Sequence, residues 1–491
     1  MHRIKPSFTA IIILLFLAVP VFAQQKSSNY NALWKIADTL IFSKGLPKSA
    51  LAQVNTIYAL AKKEKQEAQA IKALVYRVSL QEMVEEDADT KSLRLLENEI
   101  NTSSEPSKSI LYSILAFKYR VYLEQSRWKN NRTNTKNIPK NDFLTWTNDD
   151  FYTKIDGLYK LSLQNKALLQ HTSLDAYNVL LSRGNTRYLR PTMYDLLAHA
   201  ALDFYSAEKT NVTKPANAFE MKDENLLAPA ATFARLRITS SDTASLLYKA
   251  LLIYQDLLAF HLNDPQPEAL IDADIARTGF VNAWGGMPQK DQLYEKALTA
   301  IFDQYPNSPA ATEAAYKIAS LHVSYNIWDD YNGNDKADTS DLTFAAALCK
   351  KVIKQPEESP GKADCYNLLK MIEKKSLHLT TERVNIPGQP FRTLVGYRNF
   401  SNLYLRVIAI HAGFEYKLRD DHPAAYRKKL TQLAPVRSWK QSLPGANDYH
   451  RHSTEIKIDP LPTGEYILMA ASNPGFATDS GLLSMQYFYV S

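Results

Sequence analysis

The chain has 491 residues, 45% of them hydrophobic and 22% charged, with a formal net charge of +7. That length exceeds what one hydrophobic core supports and fits about two to four domains, and the balance is that of a globular protein rather than a disordered one. Basic and acidic residues are interleaved with no basic stripe, which makes nucleic acid a poor partner, and 28 tyrosines against 15 glycines suit packed helices better than a loop-rich enzyme.

The chain opens on MHRIKPSFTAIIILLFLAVPVFAQQ. Arg3 and Lys5 give a positive start, Ala10–Val19 an apolar run short for a membrane span, and Val21-Phe22-Ala23 a cleavage pattern before Gln24. Residues 1–23 are therefore expected to be an export signal. No cysteine follows the apolar run, so a lipoprotein anchor is not indicated, and no later segment reads as a transmembrane helix. The mature chain is expected outside the cytoplasm, in the periplasm or associated with the cell envelope.

Residues 28–376 read as α-helix in repeated pairs. NALWKIADTLIFSKG carries Leu33, Ile36, Ala37 and Leu40 at helical spacing, and Gly45 closes it. LPKSALAQVNTIYALAKKEKQ follows with Pro47 in its first turn and an apolar stripe of Leu51, Val54, Tyr58 and Ala61. EAQAIKALVYRVSLQEM presents Ile71, Leu74, Val75 and Val78. DTKSLRLLENEI and EPSKSILYSILAFKYRVYLEQ continue the pattern. Arg127–Asp150 is a polar interruption, after which FYTKIDGLYKLSLQNKALL and RPTMYDLLAHAALDFYSAE return to helix, with Pro191 at the start of the latter. Lys209–Ser241 reads as a second irregular region. SLLYKALLIYQDLLAFHL and PEALIDADIARTGFVNAWGG are again helical. Pairs of roughly 35–45 residues joined by short polar turns point to a helical-repeat architecture.

The clearest repeat, QLYEKALTAIFDQYPNSPAATEAAYKIASLHV, resembles a tetratricopeptide-type hairpin. Ala297, Ala300, Ala311, Ala315 and Ala319 are expected to let its two helices approach closely, and Tyr305–Pro309 makes the turn. LTFAAALCKKVIKQ and GKADCYNLLKMIEKKS form the last pair.

From Leu377 the hydrophobic period changes to two. LHLTTERVNI, FRTLVGYRN, NLYLRVIAI, STEIKIDPL, EYILMAASN and MQYFYVS read as strands, with turns at Pro387-Gly388, Asn399–Asn402 and Leu461–Gly464. EYKLRDDHPAAYRKKLTQLA, between the third and fourth, is a helix-containing or long connecting excursion. Residues 377–491 are about the size of a seven-stranded antiparallel sandwich. The expected fold is thus multidomain and mainly α: a tetratricopeptide-like solenoid of helical hairpins followed by an antiparallel β-sandwich.

Few residues suggest chemistry. Cys349 and Cys365, the only cysteines, flank the turn Gln355–Pro360 and fall at similar heights on an antiparallel hairpin. They are a disulfide candidate, worth about 3 kcal/mol for such a loop if unstrained; two buried thiols are the alternative. Asp195, His199 and Asp203 share one helix face, and His450 and His452, two apart, would point the same way along a strand. Each set admits a metal reading but lacks a further ligand from another element, so ion pairing or packing is the default. Asp329–Asp338 superficially resembles a calcium loop, but its acidic spacing fails and no Glu stands six places after Gly333. Arg127–Arg132 is a short basic stretch best read as solvated loop. No phosphate loop, G-x-S-x-G or H-E-x-x-H is present, and no paired carboxylates or triad mark a hydrolase. No catalytic activity, metal or cofactor is expected.

Several segments carry a family resemblance. LPKSALAQVNTIYALAKKEKQEAQAIKALVYR, the R-P-T-x-Y-D-x-L-A-H-x-A-L-D-F segment at 190–204, LHLTTERVNIPGQPFRTLVGYRNFSNLYLRV and IDPLPTGEYILMAAS are together similar to the amino-terminal region of bacterial, Bacteroidetes-type alpha-2-macroglobulin-like proteins. The resemblance runs over nearly the whole mature chain and implies a macroglobulin-type sandwich at 377–491. It also implies an exported protease inhibitor whose bait and thioester lie beyond this region. The thioester pattern C-x-E-Q is absent, since Lys-Lys-Val follows Cys349 and Tyr-Asn-Leu follows Cys365, so no family site residue carries over. The expected function is a non-catalytic scaffold or docking region whose partners are proteases or envelope proteins. The rival is a free-standing tetratricopeptide-like adaptor of the cell envelope.

Overall fold

A computed structural model of the chain describes residues 29–86, 88–126, 143–181, 184, 186–207, 215–323, 341–411, 423–445, 447–476 and 482–491. The expected export signal (1–23), the basic stretch 127–132 and the calcium-like loop 329–338 lie outside the described residues. The chain divides into two compact units: one runs to residue 183 and includes 192–197, and the other takes 184–191 and everything from 198 onward.

The first unit is helical. Helix α1, Tyr30–Asp38, continues through a π-helical turn at Thr39–Ser43, and Gly45 then adopts a φ of +62°, the left-handed conformation that suits glycine. Helices α2 (Pro47–Lys63) and α3 (Glu67–Val84) form an antiparallel hairpin, followed by α4 (Ala88–Thr102) and α5 (Ser107–Ser126). Ala50, Val54, Ile57 and Ala61 of α2 pack with Ala37, Ala70, Ala73 and Leu80. The buried face of α2 is therefore turned from the expected stripe toward Ala50 and Ile57, leaving Leu51 and Tyr58 at its margin. On α3, Ile71, Leu74 and Val78 are buried, but Val75 is exposed. Small residues let the helices come close, and that matters more here than the count of large apolar ones.

Helix α6 begins at Asn148, inside the expected polar interruption. Thr147 and Asp150 form a reciprocal capping box that starts it there. It ends at Ser162, and a separate short helix α7 (Lys166–Gln170) follows where one continuous helix was expected. Helix α8, Met193–Tyr205, starts two residues beyond Pro191.

In the second unit, a short α9 (Ala230–Phe233) precedes α10 (Leu246–His261), α11 (Glu268–Trp284), α12 (Lys290–Gln304) and α13 (Thr312–Leu321). The last pair is α14 (Leu342–Ile353) and α15 (Pro360–Ile372). One core runs from Ile271 and Ile275 of α11 through α12–α14 to Leu368 and Ile372 of α15. Ala311, Ala315 and Ala319 are fully buried in it, as the expected close approach requires, whereas Ala297 is half-buried and Ala300 is exposed. Gly361 fixes how α15 meets α13: a Cβ there would lie 2.3 Å from the Glu313 nitrogen and 2.4 Å from the Thr312 carbonyl carbon. The same contact is pinned by the N-cap Ser359, whose hydroxyl oxygen is 2.7 Å from that of Thr312.

Among the described residues, eight strands follow. β1 (Ser376–Thr381), β3 (Phe391–Arg398) and β6 (His452–Ile458) form a three-stranded antiparallel sheet. β2 (Val384–Asn385), β8 (Leu483–Val490), β7 (Gly464–Ala471), β4 (Asn402–Ile410) and β5 (Arg437–Ser442) form, in that order, a five-stranded sheet. Leu379, Val395 and Ile456 of the first sheet and Leu405, Val407, Leu468 and Phe488 of the second share one core, so the two make a sandwich. The expected single strand 377–386 is broken: the chain leaves the first sheet after Thr381, turns with Asn385 Nδ2 donating to the Glu382 carbonyl at 3.0 Å, and joins the second sheet as β2. That strand runs parallel to β8, a departure from the wholly antiparallel expectation. The excursion between β4 and β5 contains helix α16 (Pro423–Gln432), whose Leu430 packs with Ile408, Ile410, Ile467 and Met469 on the outer face of the larger sheet.

Candidate binding site at the junction of helices and sandwich

The elements that join the last hairpin to the sandwich meet around the end of α15. A helix terminates with carbonyl groups that have no partner within it. Here β3 supplies one: Arg398, 6% exposed, donates from Nη2 to the carbonyls of Ile372 at 2.8 Å and Met371 at 3.1 Å. Asn399, with a φ of +60°, directs Nδ2 at the Ile372 carbonyl (2.8 Å) and that of Lys374 (3.0 Å). On the other side, Lys350 of α14 reaches Glu373 at 2.9 Å and donates to the Tyr449 hydroxyl at 2.9 Å. Those two groups hold the Lys350 ammonium above its ordinary pKa, the Tyr449 contact first.

A cleft of about 430 Å³ lies at this junction, lined by Glu373, Tyr397, Asn399, Phe400, Tyr449 and His452 among others. Tyr397 donates to the Pro444 carbonyl at 2.7 Å, and its ring sits 6.0 Å from Phe400 and 5.9 Å from His452. Burial alone would raise the Asp448 carboxyl; hydrogen bonds from His452 and from the His450 N–H outweigh it and hold the group below the ordinary carboxylate range. His452 thus spends Nε2 on Asp448 at 2.9 Å, and no hydrogen bond joins it to Ser401 of the same cleft among the described residues. The arrangement offers aromatic faces and fixed polar groups.

The other candidates resolve differently. Cys349 and Cys365 face each other across α14 and α15 as two free, fully buried thiols joined by a hydrogen bond. Asp195 is taken up in starting α8, accepting from the Thr192 N–H and hydroxyl at 2.8 Å each. His199 lies 3.6 Å from Asp272, which also pairs with Arg190 at 3.0 Å. Asp195 therefore serves a helix cap, and His199 lies beside the Arg190–Asp272 ion pair. His450 contributes its backbone N–H to Asp448 at 3.0 Å, so Asp448 gathers this loop. Among the described residues no group of three or more His, Cys, Asp or Glu is arranged to hold a metal ion, and no helix is long and apolar enough to cross a membrane.

The residues that make the junction were not singled out from the sequence. Asn399 fell inside an expected turn, and an arginine ending a strand directly before an Asn turn was the available clue. Comparison of the chain with protein-family models and with curated proteins finds no match.

Proposed function

We propose that the chain is a non-catalytic docking and spacing scaffold, the amino-terminal region of an exported alpha-2-macroglobulin-like protease inhibitor. The observation that carries this reading is the junction: Arg398 and Asn399 bind the carbonyls that end α15, so the hairpins lead into the sandwich through hydrogen-bonded side chains rather than a bare linker. A tie of this kind suits a part whose work is to hold a partner at a set place, since helical arrays present extended surfaces. The resemblance of the quoted segments to that family supplies the kind of partner, a protease or an envelope protein. A tetratricopeptide-like solenoid and a macroglobulin-type sandwich are the finer forms of the two regions under this reading.

The test is an immunoblot of the producing cell's envelope fraction with an antibody to residues 377–491. A band several times larger than the 55.6 kDa of this chain supports the reading. A band near ~53 kDa, roughly the mass after loss of the signal, together with a partner recovered by pull-down, would replace it with a free-standing adaptor. Covalent capture of a protease by the 491-residue chain itself would contradict both.

A further inference from the structure

A cavity of about 480 Å³ opens between α11, α12 and the segment 224–231, within the size range of small-molecule sites. Its walls are apolar: Leu227, Leu262, Leu270, Ile271 and Ile301 line it, with Ala297 and Ala300 on the α12 side. Asp274 and Arg277 also line it, at 5% and 1% exposure. Arg277 is committed to the protein. Its Nε and Nη2 donate to Asp274 Oδ1 at 2.8 and 2.6 Å, its Nη1 donates to the Leu226 carbonyl, and Nη2 donates to that of Ala228 at 2.9 Å. The guanidinium also lies over the Phe233 ring, 4.4 Å from its centroid. Asp274 is different: both contacts fall on Oδ1, and Oδ2 receives no hydrogen bond from the described residues. Oδ2 is not among the enclosed polar atoms that lack a partner, so it is open to a donor that enters from the cavity.

We propose that this cavity binds a small apolar molecule ending in a neutral hydrogen-bond donor, such as an apolar alcohol, with the donor on Asp274 Oδ2. The charge balance selects a neutral head. Asp274 and Arg277 already cancel, and Glu224 and Lys296 at the rim do the same. An ammonium would add a second cation beside Arg277, and a carboxylate would face Asp274 directly; either leaves net charge in an apolar space. Burial raises the Asp274 carboxyl in spite of Arg277, which marks how dry the position is. The small residues Ala297 and Ala300 gain a reason they lacked as helix-packing residues: larger side chains there would fill the cavity. This site is independent of the docking role proposed above.

The experiment compares hexan-1-ol, hexyl methyl ether, hexylamine and hexanoate binding to the full chain by ligand-observed NMR. The alcohol is expected to bind at least about tenfold tighter than each of the other three, the factor set by one buried hydrogen bond or one uncompensated charge. Asp274→Asn would strand Arg277 and risks the fold. Ala297→Leu fills the cavity and leaves the ion pair intact, and it is expected to abolish alcohol binding with the circular dichroism spectrum unchanged. The proposal is overturned if the ether binds as tightly as the alcohol, if either charged probe binds tighter, if Ala297→Leu still binds, or if no probe binds at its solubility limit.

Discussion

Arg398 Nη2 lies 2.8 Å from the carbonyl oxygen of Ile372, so a strand-end side chain of the sandwich closes the carboxyl end of the last helix. The contact adds a charged donor to a helix-end carbonyl that also accepts from Asn399, and it places a cation at the negative end of the helix dipole. Both act at a position almost closed to solvent. Truncation by Arg398→Ala leaves the carbonyls of Met371 and Ile372 without this donor. Stability to urea is expected to fall by about 2 kcal/mol, the scale of a hydrogen bond to a charged group. Limited proteolysis should at the same time cut faster within residues 373–376. An unchanged midpoint with unchanged proteolysis would mean that the junction is held elsewhere.

Much of the helical order was readable from spacing alone, because amphipathic period and punctuation agree along most of the chain. What was not readable came from residues whose partners are distant in sequence. The face of α2 turned toward Ala50 and Ile57 because close packing with Ala70 and Ala73 prefers small residues to the larger Leu51 and Tyr58. β5 escaped notice because RSWKQS is a polar edge strand, its residues alternating half-buried and exposed, and Lys and Arg on an edge hinder further pairing. The split of 377–386 into β1 and β2 depends on which sheet each half joins, and no local pattern encodes that. The cavity beside Asp274 was hidden for the same reason. Ala297 and Ala300 look like any small residues on a helix, and only the return of 224–231 onto α12 gives them a shared space.

Tyr254 gives a test at alkaline pH. It is 5% exposed on α10, and burial is the main reason its hydroxyl is pushed up to about 12 from an ordinary 10.0. Between those two values the folded state keeps a proton that the unfolded chain has lost. Stability from this group is therefore complete below pH 10 and declines as pH rises to 12. The loss is on the order of 2 to 3 kcal/mol. Urea midpoints measured from pH 9 to 12 should fall, and Tyr254→Phe, which has no proton to lose, should fall less steeply over the same interval. Parallel curves for the two proteins would refute the assignment.

Cys349 and Cys365 test where the chain resides. Both side chains are fully buried in the core shared by α12–α15, and the hydrogen bond with Cys349, followed by burial, pushes the Cys365 thiol far above its ordinary pKa. The same hydrogen bond holds Cys349 below its ordinary pKa, but no reagent reaches either sulfur in the closed core, so the folded, reduced protein should resist iodoacetamide at neutral pH and take up two labels only after unfolding. Oxidation is a separate matter of compartment. If the chain is exported, an oxidising partner can take two electrons and two protons from the pair, leaving a sulfur–sulfur bond and a mass lower by about 2 Da. That bond closes the turn between α14 and α15 in the unfolded chain and should stabilise the fold by about 3 kcal/mol, a gain that dithiothreitol removes. Intact-mass measurement of the protein from its own cells, alkylated under denaturing conditions, separates the two states. A disulfide would support export together with the pairing; two alkylated thiols would count against an oxidising location, since the thiols already face each other and need no large rearrangement to join.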